Sequence, residues 1–545
     1  MPAPRFSVLT PIYDTPAEIF AAMLKSVERQ SYGGWELCLV DDASPSPHVG
    51  PMLAEAAARD PRIRVTTRAE NGGIVAASNE ALALATGEFV ALLDHDDALH
   101  PDALALVSEA IEAAPEADYV YTDEDKIDEA GHHQGPFFKP DWSPERMRTQ
   151  MYTCHLSVMR RALVEEVGGF DPEFEGSQDW DLVLRVTERA RQVVHVPRVL
   201  YHWRTLATST AGGGEAAKPW AFDAGTKAIQ AHCERTGVPA VAERDTEHPG
   251  VYRLRPRLER EPSVSIVIPT AATVREIRYE PTVLVEHCVQ SIVERSTYEN
   301  YEIVVVVDDG IDPGVLARLT ELGGSRLKLV DFTEPFNFSK KINRGAVHSD
   351  GEMLLLLNDD MEVVTPDWIE RLAMYAGLPG VGAVGGKLVW EDGRLQHAGI
   401  LFENVGYPGH IYRGFGGDWN GYSNSVLVAE NYLAVTGACM MTRRASFDRV
   451  GGFSATFPVN YNDMDYCLKL VSANERIVYD PDTILYHFES SSRSTEVEDW
   501  EKDQLRGRWL SIIGTDPFSN PNLKYGIPRL SSPFAWVRRR PRLPW

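Results

Sequence analysis

The feature that most constrains this chain is that it repeats itself. Phe6-Ser7-Val8-Leu9-Thr10-Pro11 returns as Val264-Ser265-Ile266-Val267-Ile268-Pro269, a short apolar run stopped by proline. Trp35-Glu36-Leu37-Cys38-Leu39-Val40-Asp41-Asp42 returns as Tyr301-Glu302-Ile303-Val304-Val305-Val306-Val307-Asp308-Asp309, a second apolar strand closed by two carboxylates. In a third block Asn79 aligns with Asn343, Gly87 with Gly351, Asp94 with Asn358 and Asp96 with Asp360, all at an offset of 264. Gly168-Gly169-Phe170 then matches Gly451-Gly452-Phe453, Gln178-Asp179-Trp180-Asp181 matches Asn462-Asp463-Met464-Asp465, and Tyr201-His202 matches Tyr486-His487. Six blocks in one order are not chance. The chain carries two copies of one domain.

Each copy alternates strand patterns with helical ones, such as 17–30 and 101–114, which predicts an α/β fold around a mostly parallel sheet. Ligands of such sheets sit outside the carboxyl ends of the strands, where the carboxylate pairs fall. The expected division is 1–240 and 263–525 as domains, 241–262 as a linker and 526–545 as a tail. A length of 545 residues allows three or four ordinary domains, and the repeat reduces that to two large ones.

Composition narrows the class. With 54 basic and 79 acidic residues the net charge is −25, which argues against phosphate neutralisation and so against a nucleic-acid partner. No run of 18 apolar residues is present. The first residues enter a strand pattern without an apolar leader core, and six scattered cysteines form no Cys-x-x-Cys pair. Reduced thiols and a cytoplasmic location are the expectation. The basic, aromatic end Phe534-Ala535-Trp536-Val537-Arg538-Arg539-Arg540 suits either an anionic membrane surface or a solubilising tail.

The repeated polar residues carry the chemistry. Asp94-His95-Asp96-Asp97 ends the apolar run Phe89 to Leu93, and Asn358-Asp359-Asp360 ends Leu354 to Leu357. Unpaired carboxylates at such positions are too costly to bury, so they face solvent, a cation or a hydroxyl-rich ligand. Hard divalent ions such as Mg²⁺ or Mn²⁺ take such oxygen ligands together with phosphates. Asp42 and Asp309 can accept from a nucleobase or ribose, or can cap a turn. Asp179 and Asp463 precede amphipathic runs and read either as first-turn acids of a helix or as general bases. His202 and His487 read as core histidines or, given their repetition, as a third metal ligand. His195 has no counterpart and reads as structural.

This order of strand-Pro, Asp-Asp, Asp-x-Asp, Gly-Gly-Phe, (Gln/Asn)-Asp-x-Asp and Tyr-His resembles the family 2 glycosyltransferases, whose nucleotide-diphospho-sugar transferase fold is called GT-A. The resemblance covers roughly 6–236 and 264–525. The second copy, with Pro335-Phe336-Asn337-Phe338-Ser339 and Thr436-Gly437-Ala438-Cys439-Met440, is similar to bacterial O-antigen, capsule and rhamnan-type transferases. The resemblance implies that Asp42 and Asp309 contact the donor base, with Asp94 and Asn358 near the ribose. It implies Mn²⁺ or Mg²⁺ on Asp96 with His202 and on Asp360 with His487, and catalytic bases in Asp179 and Asp463. It further implies inverting transfer from a nucleotide-diphospho-sugar to a glycan or lipid-linked oligosaccharide. Asn358 removes a charge that Asp94 supplies, so one half could instead be a sugar-binding scaffold. A nucleotidyltransferase would show a Gly-rich basic loop where Thr10-Pro11-Ile12-Tyr13-Asp14 stands, and no Gly-x-Gly-x-x-Gly marks a dehydrogenase.

Overall fold

The computed structural model describes residues 3–205, 219–403, 406–489 and 497–528. The basic, aromatic end of the chain beyond 528 lies outside the described residues. The first half is built on nine strands: β1 (Phe6–Ile12), β2 (Trp35–Asp41), β3 (Ile63–Thr67), β4 (Phe89–Leu92), β5 (Ala98–Leu99), β6 (Ala117–Ile127), β7 (His133–Phe137), β8 (Ser157–Arg160) and β9 (Gln192–Arg204). Their order is β3-β2-β1-β4-β8-β6-β9-β5, with β7 beside β6. The first four run parallel, β8 is antiparallel to both neighbours, and β6 and β9 are parallel.

The second half repeats this order strand for strand. It runs Leu327–Phe332, Tyr301–Asp308, Val264–Thr270, Met353–Leu357, Cys439–Arg443, Val381–Val389, Arg476–His487 and Met361–Val363, in the same relative directions. Val264–Thr270 is buried along its whole length, because helices cover both faces of a central parallel strand. The helix Ala17–Glu28 turns Phe20, Met23, Leu24 and Val27 inward, and Leu284–Arg295 turns Leu284, Val285, Cys288, Val289 and Ile292 inward, at the three-to-four spacing of one helical face.

Several repeated residues hold the scaffold together. The Asn79 carboxamide donates to Phe170 O at 2.8 Å and accepts from Phe170 N at 2.9 Å, and Asn343 makes the same two bonds to Phe453 at the same lengths. The glycine pairs before Phe170 and Phe453 adopt the positive φ that this turn requires. Ser7 donates to Glu36 and Ser265 to Glu302, each at 2.6 Å. Gly87 and Gly351 lie against these serines, where a Cβ would come within 2.8 Å of Ser7 N and 2.6 Å of Ser265 N. All six cysteines are free thiols, and no described helix is long and apolar enough to cross a membrane.

The stretch read as a linker is ordered differently. Ala240–Arg244 and Tyr252–Pro256 form an antiparallel hairpin, and Ala240, Ala242, Tyr252 and Leu254 join the hydrophobic core. That core also contains Leu9, Tyr121 and Trp180 of the first half and Ile266, Trp368 and Leu372 of the second. The halves therefore share one apolar cluster, beside a further cluster of their own on each side. Buried polar contacts fix their register: Arg146 on Glu430 at 2.7 Å, Ser143 on Asn431 at 2.8 Å and Arg476 on Glu145 at 3.0 Å. From the far end, Asn520 donates to Asp123 and to Lys139 O.

Candidate active sites

In both halves the acidic loop follows the central strand next to β1 or its counterpart, at the carboxyl edge of the parallel strands. In the first half Asp94, His95 and Asp96 are half-buried and Asp97 is fully buried. Tyr201 Oη donates to Asp97 at 2.5 Å and Arg204 N at 2.7 Å, so Asp97 anchors the loop to β9. Burial, with the Asp94 and Asp96 charges beside it, pushes the Asp97 carboxyl well above the usual range. Ligand atoms of Asp94, Asp97 and His155 all lie within 4.8 Å of one another.

Asp179 belongs to the first turn of the helix Gln178–Thr187. Burial raises its carboxyl above the ordinary value, the imidazole of His155 opposes that rise, and the Asp94 charge adds to it. Asp179, His155 and Asp94 thus form one electrostatic unit. His155 carries no repeat signal in the sequence, because the matching place before the strand Cys439–Arg443 holds Ala438.

In the second half the helix Asn462–Ser472 carries Asp463 in its first turn. Its carboxylate accepts from Gly437 N at 2.9 Å and from Met464 N at 2.8 Å. Burial raises its carboxyl, and these backbone donors oppose the rise. Ala438 O in turn accepts from Asn358 N at 3.0 Å. One short backbone link therefore joins the proposed base to the acidic loop.

The two histidines differ in what they meet. His487 Nε2 lies 3.1 Å from Asp360 Oδ1 and 3.4 Å from the Asn358 amide, while Nδ1 donates to Gln396 Oε1 at 2.5 Å. Burial alone would lower the His487 pKa, but the Asp360 charge outweighs it and the net shift is upward. His202 Nδ1 instead donates to Asp125 Oδ1 at 2.6 Å, and His133 Nδ1 donates to Asp125 Oδ2 at 2.8 Å. Burial would raise the Asp125 carboxyl, yet the two imidazole bonds hold it below the ordinary value. A difference in register separates the halves. His202 faces Ala98, two positions past Asp96, whereas His487 faces Met361, one position past Asp360.

Asp42 and Asp309 also diverge. Asp42 is buried, accepts from Gly72 N and Gly73 N at 2.9 Å each, and pairs with Arg68 at 3.0 Å. It holds the entrance of the helix Gly73–Leu84 in place. Asp309 is exposed, while its neighbour Asp308 pairs with Lys341 at 2.9 Å. His195 lies between Asp123 at 2.9 Å and Asp141 at 3.0 Å, stacked on Tyr121. Around His487 the second half adds His397 and His410, whose Nδ1 atoms are 2.9 Å apart. Burial pushes both imidazoles down, His410 to about 4, so one neutral ring donates to the other.

Among the described residues, two groups of the first half bring ligand atoms within 4.8 Å of one another, Asp94-Asp97-His155 and Asp125-His133-His202. In the second half a loop carboxylate meets an imidazole directly, His487 Nε2 at 3.1 Å from Asp360, whereas His202 is grouped with Asp125 and His133; both rings have Nδ1 already hydrogen-bonded, so a hard cation would be met through Nε2.

The model of the family described as Glycosyl transferase family 2 matches residues 7–168, and that described as Glycosyltransferase like family 2 matches 262–511. The chain is 40% identical over 532 residues to the uncharacterised protein y4gI of Sinorhizobium fredii, covering 95% of this chain and 58% of that one. It is 37% identical over 543 residues to the O-antigen biosynthesis protein RfbC of Myxococcus xanthus, covering 99% of this chain and 41% of that one. It thus spans about half the length of these two relatives. Over 187 residues it is 30% identical to a PGL/p-HBAD biosynthesis glycosyltransferase of Mycobacterium bovis, covering 34% of this chain and 70% of that one.

Proposed function

Because the chain belongs to the family 2 glycosyltransferases, with two GT-A domains in tandem, we propose that both halves are active sites. Each catalyses inverting transfer of a sugar from a nucleotide-diphospho-sugar to a hydroxyl of a growing cell-surface glycan. The observation that carries this reading is the recurrence, in two halves of equal topology, of a raised aspartate on a helix's first turn beside an acidic loop. The similarity to an O-antigen biosynthesis protein supports a polysaccharide or lipid-linked acceptor.

Asp179 and Asp463 are the bases. Each takes the proton of the acceptor hydroxyl as its oxygen attacks the anomeric carbon in line. The backbone donors on Asp463 fix the carboxylate's direction, and its remaining lone pairs are available for the acceptor proton. A carboxyl raised by burial is a stronger base than a solvated one, which suits removal of a proton from a hydroxyl. Asp96 with His202, and Asp360 with His487, would hold Mn²⁺ or Mg²⁺, which when bound offsets charge on the departing nucleoside diphosphate. Asp94 and Asn358 orient the ribose, and Asp42 and Asp309 flank the base. We assign domain limits of 1–240 and 263–525, joined by the packed hairpin of Ala240–Arg244 and Tyr252–Pro256 rather than by a free linker, a cytoplasmic location, and membrane contact through the basic end of the chain.

The test uses the full chain. Asp179→Asn and Asp463→Asn should each lower transfer at one site by about 10²- to 10⁴-fold and leave donor binding intact. The double variant should abolish transfer, and EDTA should do the same to the parent protein. Full transfer by the double variant would refute the assignment of the bases.

A further inference from the structure

The ring nitrogen that faces away from the proposed cation is held differently in the two halves. On β9, His202 stands directly across from Asp125 of β6, and its Nδ1 donates to Asp125 Oδ1 at 2.6 Å. The Asp125 side chain is wholly buried, and its other oxygen accepts from His133 at 2.8 Å. A carboxylate can only accept, so Nδ1 of His202 carries a proton and Nε2 is the nitrogen turned toward any cation. In the second half the strand Val381–Val389 ends before it can supply such a partner, and Gln396 of Leu395–His397 takes the position. Gln396 Oε1 accepts from His487 Nδ1 at 2.5 Å, and Gln396 Nε2 donates to Glu489 at 3.2 Å. Nδ1 carries a proton in both rings, but behind His487 the negative charge stands one group further away.

We propose that Asp125 and Gln396 are the positioning residues of the two cation-binding histidines, and that this unlike pair makes the first half the tighter divalent-cation site. The inference rests on the reading of His202 and His487 as ligands. A carboxylate on the distal N–H raises the basicity of a ligating imidazole and locks its ring, and loss of such a partner typically weakens metal binding by about 10- to 100-fold. A neutral carboxamide locks the ring without the full charge. The loops agree in sign: the first carries Asp94 where the second carries the neutral Asn358.

Direct Mn²⁺ titration, read by the electron paramagnetic resonance of the free ion, tests this without turnover. In full-length protein Asp360→Asn reports the first site and Asp96→Asn the second. The first should bind more tightly. Adding Asp125→Asn to Asp360→Asn should weaken Mn²⁺ about tenfold or more, and Asp125→Glu should recover part of the loss. Adding Gln396→Glu to Asp96→Asn should tighten the second site, an outcome that damage to the fold cannot imitate. Affinity within twofold of the parent for both Asp125→Asn and Gln396→Glu would overturn the positioning roles. Undiminished Mn²⁺ binding by the Asp96→Asn, Asp360→Asn double variant would instead overturn the ligand assignment itself.

Discussion

The contact between the halves invites a decisive perturbation at Arg146. Its guanidinium and the Glu430 carboxylate are each only 4% exposed and lie 2.7 Å apart. The remaining nitrogens donate to Gln150 Oε1 at 2.9 and 3.0 Å and to Ser423 O at 3.1 Å, so the cation is fully engaged. Arg146→Met keeps the apolar stem and deletes the charge. Glu430, supported then by the Tyr432 hydroxyl at 3.1 Å, would remain as a buried and uncompensated anion. Breaking a buried pair in this one-sided way costs about 3–5 kcal/mol, whereas replacing both partners with apolar groups is often neutral. Arg146→Met should therefore lower the unfolding free energy by about 3–5 kcal/mol, and Arg146→Met with Glu430→Met should recover most of it. Urea denaturation of the full chain, followed by tryptophan fluorescence, measures both. Because one apolar core runs through both halves, the parent should unfold in a single transition, and the single variant's midpoint should move at similar slope. A loss below about 1 kcal/mol in Arg146→Met, or a double variant no more stable than the single, would refute the argument that this buried pair joins the halves.

Two further perturbations probe other parts of the scaffold. Burial would depress the His195 imidazole, but Asp123 and Asp141 outweigh it and lift its pKa to about 9. A group raised on folding contributes in full below its unfolded value near 6.5, and that contribution is lost as pH climbs through 9, roughly 3 kcal/mol in all. His195→Gln should flatten this alkaline decline in thermal melts between pH 6 and 10, and an unchanged pH profile would remove His195 as its source. Gly351→Ala places a Cβ 2.6 Å from Ser265 N, and Gly87→Ala one 2.8 Å from Ser7 N. Each should cost about 1–3 kcal/mol by overpacking against backbone. A penalty in one half only would mean that the repeated sequence does not repeat its packing.

The repeated α/β architecture was legible because its cues are local and doubled, whereas the strand order and the antiparallel strand beside β4 were not. Two apolar runs marked by Pro11 and Pro269, each one residue short of its strand's end, and two closed by paired carboxylates identify the same strands without any knowledge of their neighbours. Around 241–262, Pro239, the mixed charges Glu243-Arg244-Asp245 and the run from Pro249 to Pro262 read as a linker, while Ala240, Ala242, Tyr252 and Leu254 supply the alternating buried face of a hairpin. Asp125, Gln396 and His155 were not legible at all. Their partners come from cross-strand register or from a loop packed against another, and none of the three is repeated at its matching position. The single-residue difference in register between His202 and His487 has the same origin: both halves spell Tyr-His, and only strand pairing shows what each imidazole faces.

Repetition alone does not separate scaffold from chemistry, and the hydrogen bonds show why. Asn79 and Asn343 recur with the same fidelity as Asp179 and Asp463, yet each carboxamide uses both its oxygen and its nitrogen on a backbone amide 91 or 110 residues away. Nothing in such a side chain is left to move a proton. Asp463 also binds backbone, but a carboxylate offers about four acceptor positions and two N–H groups occupy only part of them. It also titrates, and burial shifts that titration upward. Asp42 falls between these cases: two glycine amides and Arg68 engage a carboxylate that the sequence placed at an open strand end. Its first duty is to shape the Gly72-Gly73 turn, so Asp42→Asn should disturb that turn as well as any donor contact. Asp309 is exposed at the matching strand end with its neighbour Asp308 on Lys341, so a loss of nucleotide-sugar affinity in Asp309→Asn without a loss of stability would support the proposed donor contact, and unchanged affinity would remove it.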